Sequence, residues 1–149
     1  ASGNLSHFEV AHAALDSGAI FTLQLHLTRY RHLVLNPANE VRITSRTDLL
    51  WSDPQGHRPG DRWHGDVLNF ELSKQRAVQV ANIIQDFASE AGISRMIVVR
   101  GLGAQRAADA LGGERVVRDL NLTDRRYANP HERVVSVEID GTNELRLAP

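Results

Sequence analysis

Apolar and polar residues alternate cleanly between Arg133 and Asp140. Val135, Val137 and Ile139 fall on one side, and Val134, Ser136 and Glu138 on the other. A period of two predicts a strand with one buried face, here stopped by Gly141. Met96 to Val99 is a short apolar run between Arg95 and Arg100, closed by Gly101, and predicts a buried central strand. Val41 and Ile43 alternate with Arg42 and Thr44, giving another strand just before Asp48. A further short strand is expected at about Phe8 to Val10.

The clearest helical pattern runs from about Asn69 to Ala91. Leu72, Val80, Ile83, Ile84 and Phe87 recur at helical spacing, Gly92 supplies the stop, and Asn69 is a suitable N-cap with Glu71 in the first turn. Residues 16 to 35 satisfy two patterns. Phe21, Leu23, Leu25 and Leu27 alternate as in a strand, whereas Leu23, Leu27, Tyr30 and Val34 form a helical stripe that Asp16 or Ser17 would cap and Asn36-Pro37 would end. A short helix is expected at Ala104 to Leu111, inside a polar connection that runs on to about Pro130. Strands and helices in this alternation imply a two-layer α/β sandwich, with helices on one face of a mixed sheet.

Composition narrows the picture. The chain of 149 residues is the size of one domain, with an irregular Pro-, Gly- and Asp-rich stretch at about 49–68 that holds both tryptophans. With 42% hydrophobic and 23% charged residues it is a folding chain and not a disordered one. The absence of cysteine excludes disulfides, thiolate metal sites and cysteine nucleophiles. A net charge of -1 argues against a nucleic-acid partner. No apolar run approaches the roughly 20 residues of a membrane span, so no membrane contact is expected from this stretch. The chain starts Ala1-Ser2-Gly3 without methionine and reads as a fragment or a processed product. Of its 17 basic residues only Lys74 is lysine, so cationic contacts fall to planar guanidinium forks suited to carboxylates.

One constellation carries chemistry. Asp48 closes a strand, Asn69 opens the next helix, and Arg76 follows two turns along the same helical face. A carboxylate and a guanidinium converging at an open notch at one edge of the sandwich would hold a zwitterion, the acid taking an ammonium and the arginine a carboxylate bidentately. The same spacing equally suits a plain Asp–Arg ion pair.

These residues also resemble a known family. The stretch from Asn36 to Thr47-Asp48 is similar to the approach to the Thr-Asp motif of OmpA-like domains, which include the OmpA C-terminal domain, the peptidoglycan-associated lipoprotein and the stator protein MotB. Asn69-Phe70-Glu71-Leu72-Ser73-Lys74-Gln75-Arg76-Ala77 matches the family's Asn-x-x-Leu-Ser-x-x-Arg-Ala spacing throughout. Gly101-Leu102-Gly103 resembles its Gly-x-Gly, and Asn121-Leu122-Thr123, Arg126, Asn129 and Arg133-Val134 resemble the run ending Asn-Arg-Arg-Val. The resemblance spans about Phe8 to Asp140. It implies a βαβαβ-β sandwich, hence a helix at 16–35, and non-catalytic binding of peptidoglycan in the periplasm or cell envelope. Asp48 and Arg76 would grip the diaminopimelate of the stem peptide, with Thr47, Asn69 and Leu72 lining the pocket and Arg133 adding positive charge. Such a domain would anchor a larger envelope protein to the wall, as a homodimer or within a larger assembly, and needs no cofactor or metal.

Three departures stand out. Ser45-Arg46 replaces the family's Gly-His. The 21 positions from Asp48 to Asn69 exceed the family's short connection, making 49–68 a loop insertion over the pocket. Asn129-Pro130-His131-Glu132-Arg133 interrupts Asn-Arg-Arg, so either Asn129 or His131 stands at the asparagine position. Trp51 and Trp63 suit sugar stacking or simple anchoring of the insertion. His57 and His64 with Asp53, Asp61 and Asp66 have the residue types of a metal site but not the spacing of a zinc hydrolase. Arg106, Arg115, Arg118, Arg125 and Arg126 make a basic connection that solvates readily or faces an acidic partner. Two alternatives to wall anchoring follow: an interaction module of the same fold with an altered or blocked pocket, and a metal-dependent peptidoglycan hydrolase.

Overall fold

A computed structural model of the chain describes residues 15–49, 62–113, 130–140 and 143–147. The two-pattern segment resolves as helix. Asp16 caps α1 (Ser17–Arg29) by accepting from Ala19 N at 2.7 Å, and a short α2 (Arg31–Val34) follows after Tyr30. Ala19, Leu23 and Leu27 are buried one turn apart, while Phe21 and Leu25 are exposed. The strand-like alternation was therefore two helical faces, both apolar.

Among the described residues four strands form one mixed sheet: β1 (Val41–Ser45), β2 (Ile97–Gly101), β3 (Val135–Ile139) and β4 (Asn143–Leu147), in the order β2-β1-β3-β4. β1 pairs parallel with β2 and antiparallel with β3, and β3 pairs antiparallel with β4. Val41 and Ile43 register with Ile139 and Val137, and these with Leu147 on β4 and the stripes of α1 and α3 make the core. Among the described residues α1 and α3 pack on this face of the sheet, as a two-layer sandwich requires. The expected strand at Phe8 to Val10 lies outside the described residues.

Three expectations need correction. Among the described residues β2 is an edge strand and not a central one, and Met96 just before it is 86% exposed. An apolar run looks the same in both positions, because what separates them is the sheet order. β4 was not anticipated. The helix α3 (Arg62–Glu90) begins two turns before Asn69, so Asn69 is not an N-cap but an interior helical residue, and residues 62–68 of the irregular stretch are helical. At its other end, Gly92 takes a positive φ of 75° and Ile93 N donates back to Ala88 O at 3.0 Å, which stops the helix where the glycine predicts. The short helix after β2 is α4 (Gln105–Ala110).

The buried stripe of α3 has two halves. Ala77, Val80, Ile84 and Ala88 lie over the core, whereas Asn69, Ser73 and Arg76 lie over the strand ends. The stripe changes from apolar to polar where it passes from the core to the strand ends.

Candidate functional site

The turn leaving β1 is pinned from both sides. Arg46 N donates to Val134 O at 2.8 Å and Val134 N returns a bond to Arg46 O at 3.3 Å. On the other flank Leu102 N donates to Ser45 O, and Thr47 N to Gly103 O, both at 2.9 Å. Asp48 thus leaves the sheet from a backbone held between β3 and the Gly101-Leu102-Gly103 loop.

That loop also fixes the helix. A Cβ on Gly101 would stand 2.5 Å from Lys74 Cγ and 2.7 Å from the Lys74 backbone nitrogen, so only glycine permits this approach. Gly103 has a φ of 57° and lies against the Phe70 backbone. Its N–H donates to Ser73 Oγ at 2.9 Å, and Ser73 Oγ donates to Phe70 O at 2.7 Å. Asn69 Nδ2 donates to Asp48 O at 3.3 Å, tying the helix to the turn directly. Ser73 was missed as a site residue. Its signal was its place on the Asn69–Arg76 face, one turn from each.

The side chains named from the sequence come together here. Asp48 is 2% exposed and Arg76 1%, with Thr47 and Asn69 also buried and Leu72 half-buried on the flank of the stripe. The expected open notch is thus covered. Arg133 Nε lies 3.5 Å from Asp48 Oδ2, both side chains nearly enclosed. Arg76 is within electrostatic range of both Asp48 and Arg133. Burial lowers its pKa to about 10; Asp48 opposes the shift and Arg133 adds to it. Lowering relative to the unfolded chain means that burying this cation costs stability at every pH below about 10, and the cost fades as pH rises above it. Thr47 Oγ1 and Ser45 Oγ are buried and have no hydrogen-bond partner among the described residues. Among the described residues the cluster gathers two cations, one anion and two hydroxyls in an enclosed group at the carboxyl end of β1.

Other candidates separate from this cluster. Glu132, in a 3-10 turn at Pro130–Glu132, pairs with Arg106 at 3.9 Å. Trp51, Asp53, His57, Asp61, Arg115, Arg118, Arg125, Arg126 and Asn129 lie outside the described residues, and Trp63, His64 and Asp66 fall in the first turns of α3. Among the described residues no group of three or more His, Asp or Glu is placed to hold a metal, and no helix is long and apolar enough to cross a membrane.

No protein-family model matches the chain, and no curated protein does. Among solved structures it is similar to the OmpA-like domain of FopA1 from Francisella tularensis subsp. tularensis SCHU S4, with a TM-score of 0.52 and 18% identity over 94% of this chain and 73% of that one. It is also similar to a putative MotB-like protein from Desulfovibrio vulgaris, with a TM-score of 0.49 and 19% identity over 95% of this chain and 70% of that one. The FopA1 likeness shows the fold: this is the OmpA-like α/β sandwich that the order of motifs implied.

Proposed function

We propose that this domain of OmpA-like fold is a non-catalytic peptidoglycan-binding module that holds a larger envelope protein to the cell wall in the periplasm. The observation that carries the reading is the convergence of Asp48, Arg76 and Arg133 at one end of β1, with Thr47 and Asn69 beside them. The free end of diaminopimelate bears an ammonium and a carboxylate on one carbon. Arg76 takes the carboxylate through two parallel N–H donors, and Asp48 takes the ammonium, sharing its charge with Arg133. Thr47 Oγ1 supplies a further polar contact, Leu72 meets the methylenes, and Asn69 holds the main chain of Asp48 in place. No bond is made or broken. One such contact gives an affinity of roughly micromolar to millimolar, and repetition along the polymer converts it into a tether.

The 1–2% exposure of Asp48 and Arg76 favours a second reading, an interaction module of the same fold whose pocket stays shut. Calorimetric titration separates the two. A diaminopimelate-containing muropeptide should bind, a lysine-containing one lacking the distal carboxylate should bind about tenfold or more weakly, and Asp48→Asn and Arg76→Lys should abolish the difference. Binding that survives both substitutions unchanged refutes the clamp. No binding by the wild type, with a stable protein partner or dimer instead, establishes the second reading.

A further inference from the structure

A second surface lies at the other end of the sheet and along its edge. In a parallel ladder the N–H and C=O of one residue point to the same neighbour, and those of the next residue point away. Leu102 N donates to Ser45 O, which sets the parity: residues 98, 100 and 102 face β1, and Ile97, Val99 and Gly101 turn their backbone groups outward. Among the described residues no strand lies beyond β2. Edge strands are ordinarily blunted by charge, proline or a bulge. β2 carries one charge, Arg100, no proline, and a regular register with β1 over its whole length. Two apolar residues along it are uncovered, Met96 just before the strand at 86% and Val99 at 36%, while Ile97 packs against the core.

A cavity of about 330 Å³ opens where this edge begins, lined by Pro37, Ala38, Glu40, Arg95, Met96 and Val98 among others. Its wall is braced. The Gln85 side chain clamps the Arg95 backbone, accepting from its N–H at 3.1 Å and donating to its carbonyl at 2.8 Å. The Arg95 guanidinium, on a residue only 5% exposed, donates to Asn36 O at 2.6 Å and to Asn39 O, while its buried Nε has no hydrogen-bond partner among the described residues. The acid at this rim is already engaged, because Glu40 Oε1 lies 2.8 Å from Arg42 Nη2. The Arg95 guanidinium is spent on this loop, so the positive charge that this apolar, hydrogen-bonding edge presents comes from the exposed Arg100.

We propose that the outward side of β2 accepts an extended acidic peptide segment of another protein as a fifth strand, with one apolar side chain of that segment seated in the cavity between Pro37 and Met96. Main-chain bonds to Ile97, Val99 and Gly101 supply affinity, the cavity selects the apolar side chain, and the exposed Arg100 selects an acid beside it. This site is separate from the Asp48–Arg76 cluster, and neither depends on the other.

The test uses the 149-residue chain and a synthetic peptide, acetyl-Ser-Glu-Val-Leu-Val-Glu-Ser-amide, followed by amide NMR and hydrogen exchange. The amides of Ile97 and Val99 should shift and gain protection, and a peptide with lysine in place of glutamate should bind about tenfold or more weakly. Val99→Pro removes one outward N–H without touching the ladder to β1 and should abolish binding. Arg100→Glu, at an exposed position that folding tolerates, should reverse the preference to the lysine peptide and carries the test if Val99→Pro does not fold. Equal binding of both peptides, shifts elsewhere than β2, or no shift at millimolar peptide overturns the proposal. So does self-association of the wild type that Val99→Pro dissolves, which would give the edge to a second copy.

Discussion

Two buried arginines stand at opposite ends of the same sheet, and they are buried in different company. Arg95 rests on neutral main-chain carbonyls of Asn36 and Asn39, supplied by the loop that leads into β1. It braces a turn, and its task is complete within the chain. Arg76 lies among charges, with Asp48 and a second guanidinium, Arg133, in range. Among the described residues this end gathers two cations around one carboxylate and leaves the Thr47 and Ser45 hydroxyls unsatisfied. The first arrangement stabilises a fold. The second is a costly way to stabilise one, as is expected where the ligand site proposed above would lie.

The contrast breaks most sharply at Asp48. Asp48→Ala leaves Arg76 and Arg133 enclosed without their common carboxylate, and should cost about 3–5 kcal/mol in urea unfolding as well as all stem-peptide binding. A loss below about 1 kcal/mol would mean that the ion cluster is not the organising feature of this end. Arg95→Met removes the brace but keeps the packing of its stem. It strands two carbonyls, and should cost about 1–3 kcal/mol while leaving muropeptide affinity unchanged. Equal damage to both properties would erase the distinction between the two ends. Gly101→Ala should cost about 1–3 kcal/mol and weaken binding at the Arg76 end, because the added methyl meets the Lys74 backbone and pushes α3 off the strand.

The smallest effect is one of pH, on α1, at neither end. Burial first, and Arg29 second, hold the His26 imidazole below its ordinary 6.5. The unfolded chain then takes up the proton before the folded one does. The stability His26 contributes is whole above 6.5 and declines as pH falls through its lower folded value. His26→Gln should flatten that part of a plot of melting temperature against pH, and an unchanged slope would assign the acid sensitivity elsewhere.

How much of this was legible depended on distance along the chain. The β1 strand, the body of α3 and its stop at Gly92 follow from local periodicity. The choice of helix for α1 did not, because Phe21 and Leu25 add apolar side chains to its exposed face and imitate a strand. β4 was hidden for the opposite reason: Leu145 and Leu147 alternate with Glu144 and Arg146, too briefly to be distinguished from a polar tail. At the site, Asp48, Asn69 and Arg76 were readable as a spaced motif. The Asp48–Arg133 pair and the Gly103–Ser73 bond were not, since each joins elements that only the folded sheet brings together. The edge position of β2 belongs to the same class.

The length of α3 has one more consequence. Its 29 residues make a rod of about 43 Å beside strands of about 16 Å. Ser73 meets the sheet at Gly103 and Gln85 meets it at Arg95, so the shorter part of the rod already spans the platform. The turns before Asn69 rise about 10 Å past the level of Asp48. They stand as a rail along one flank, so a wall polymer bound as proposed would have its direction of approach chosen for it before any side chain takes hold.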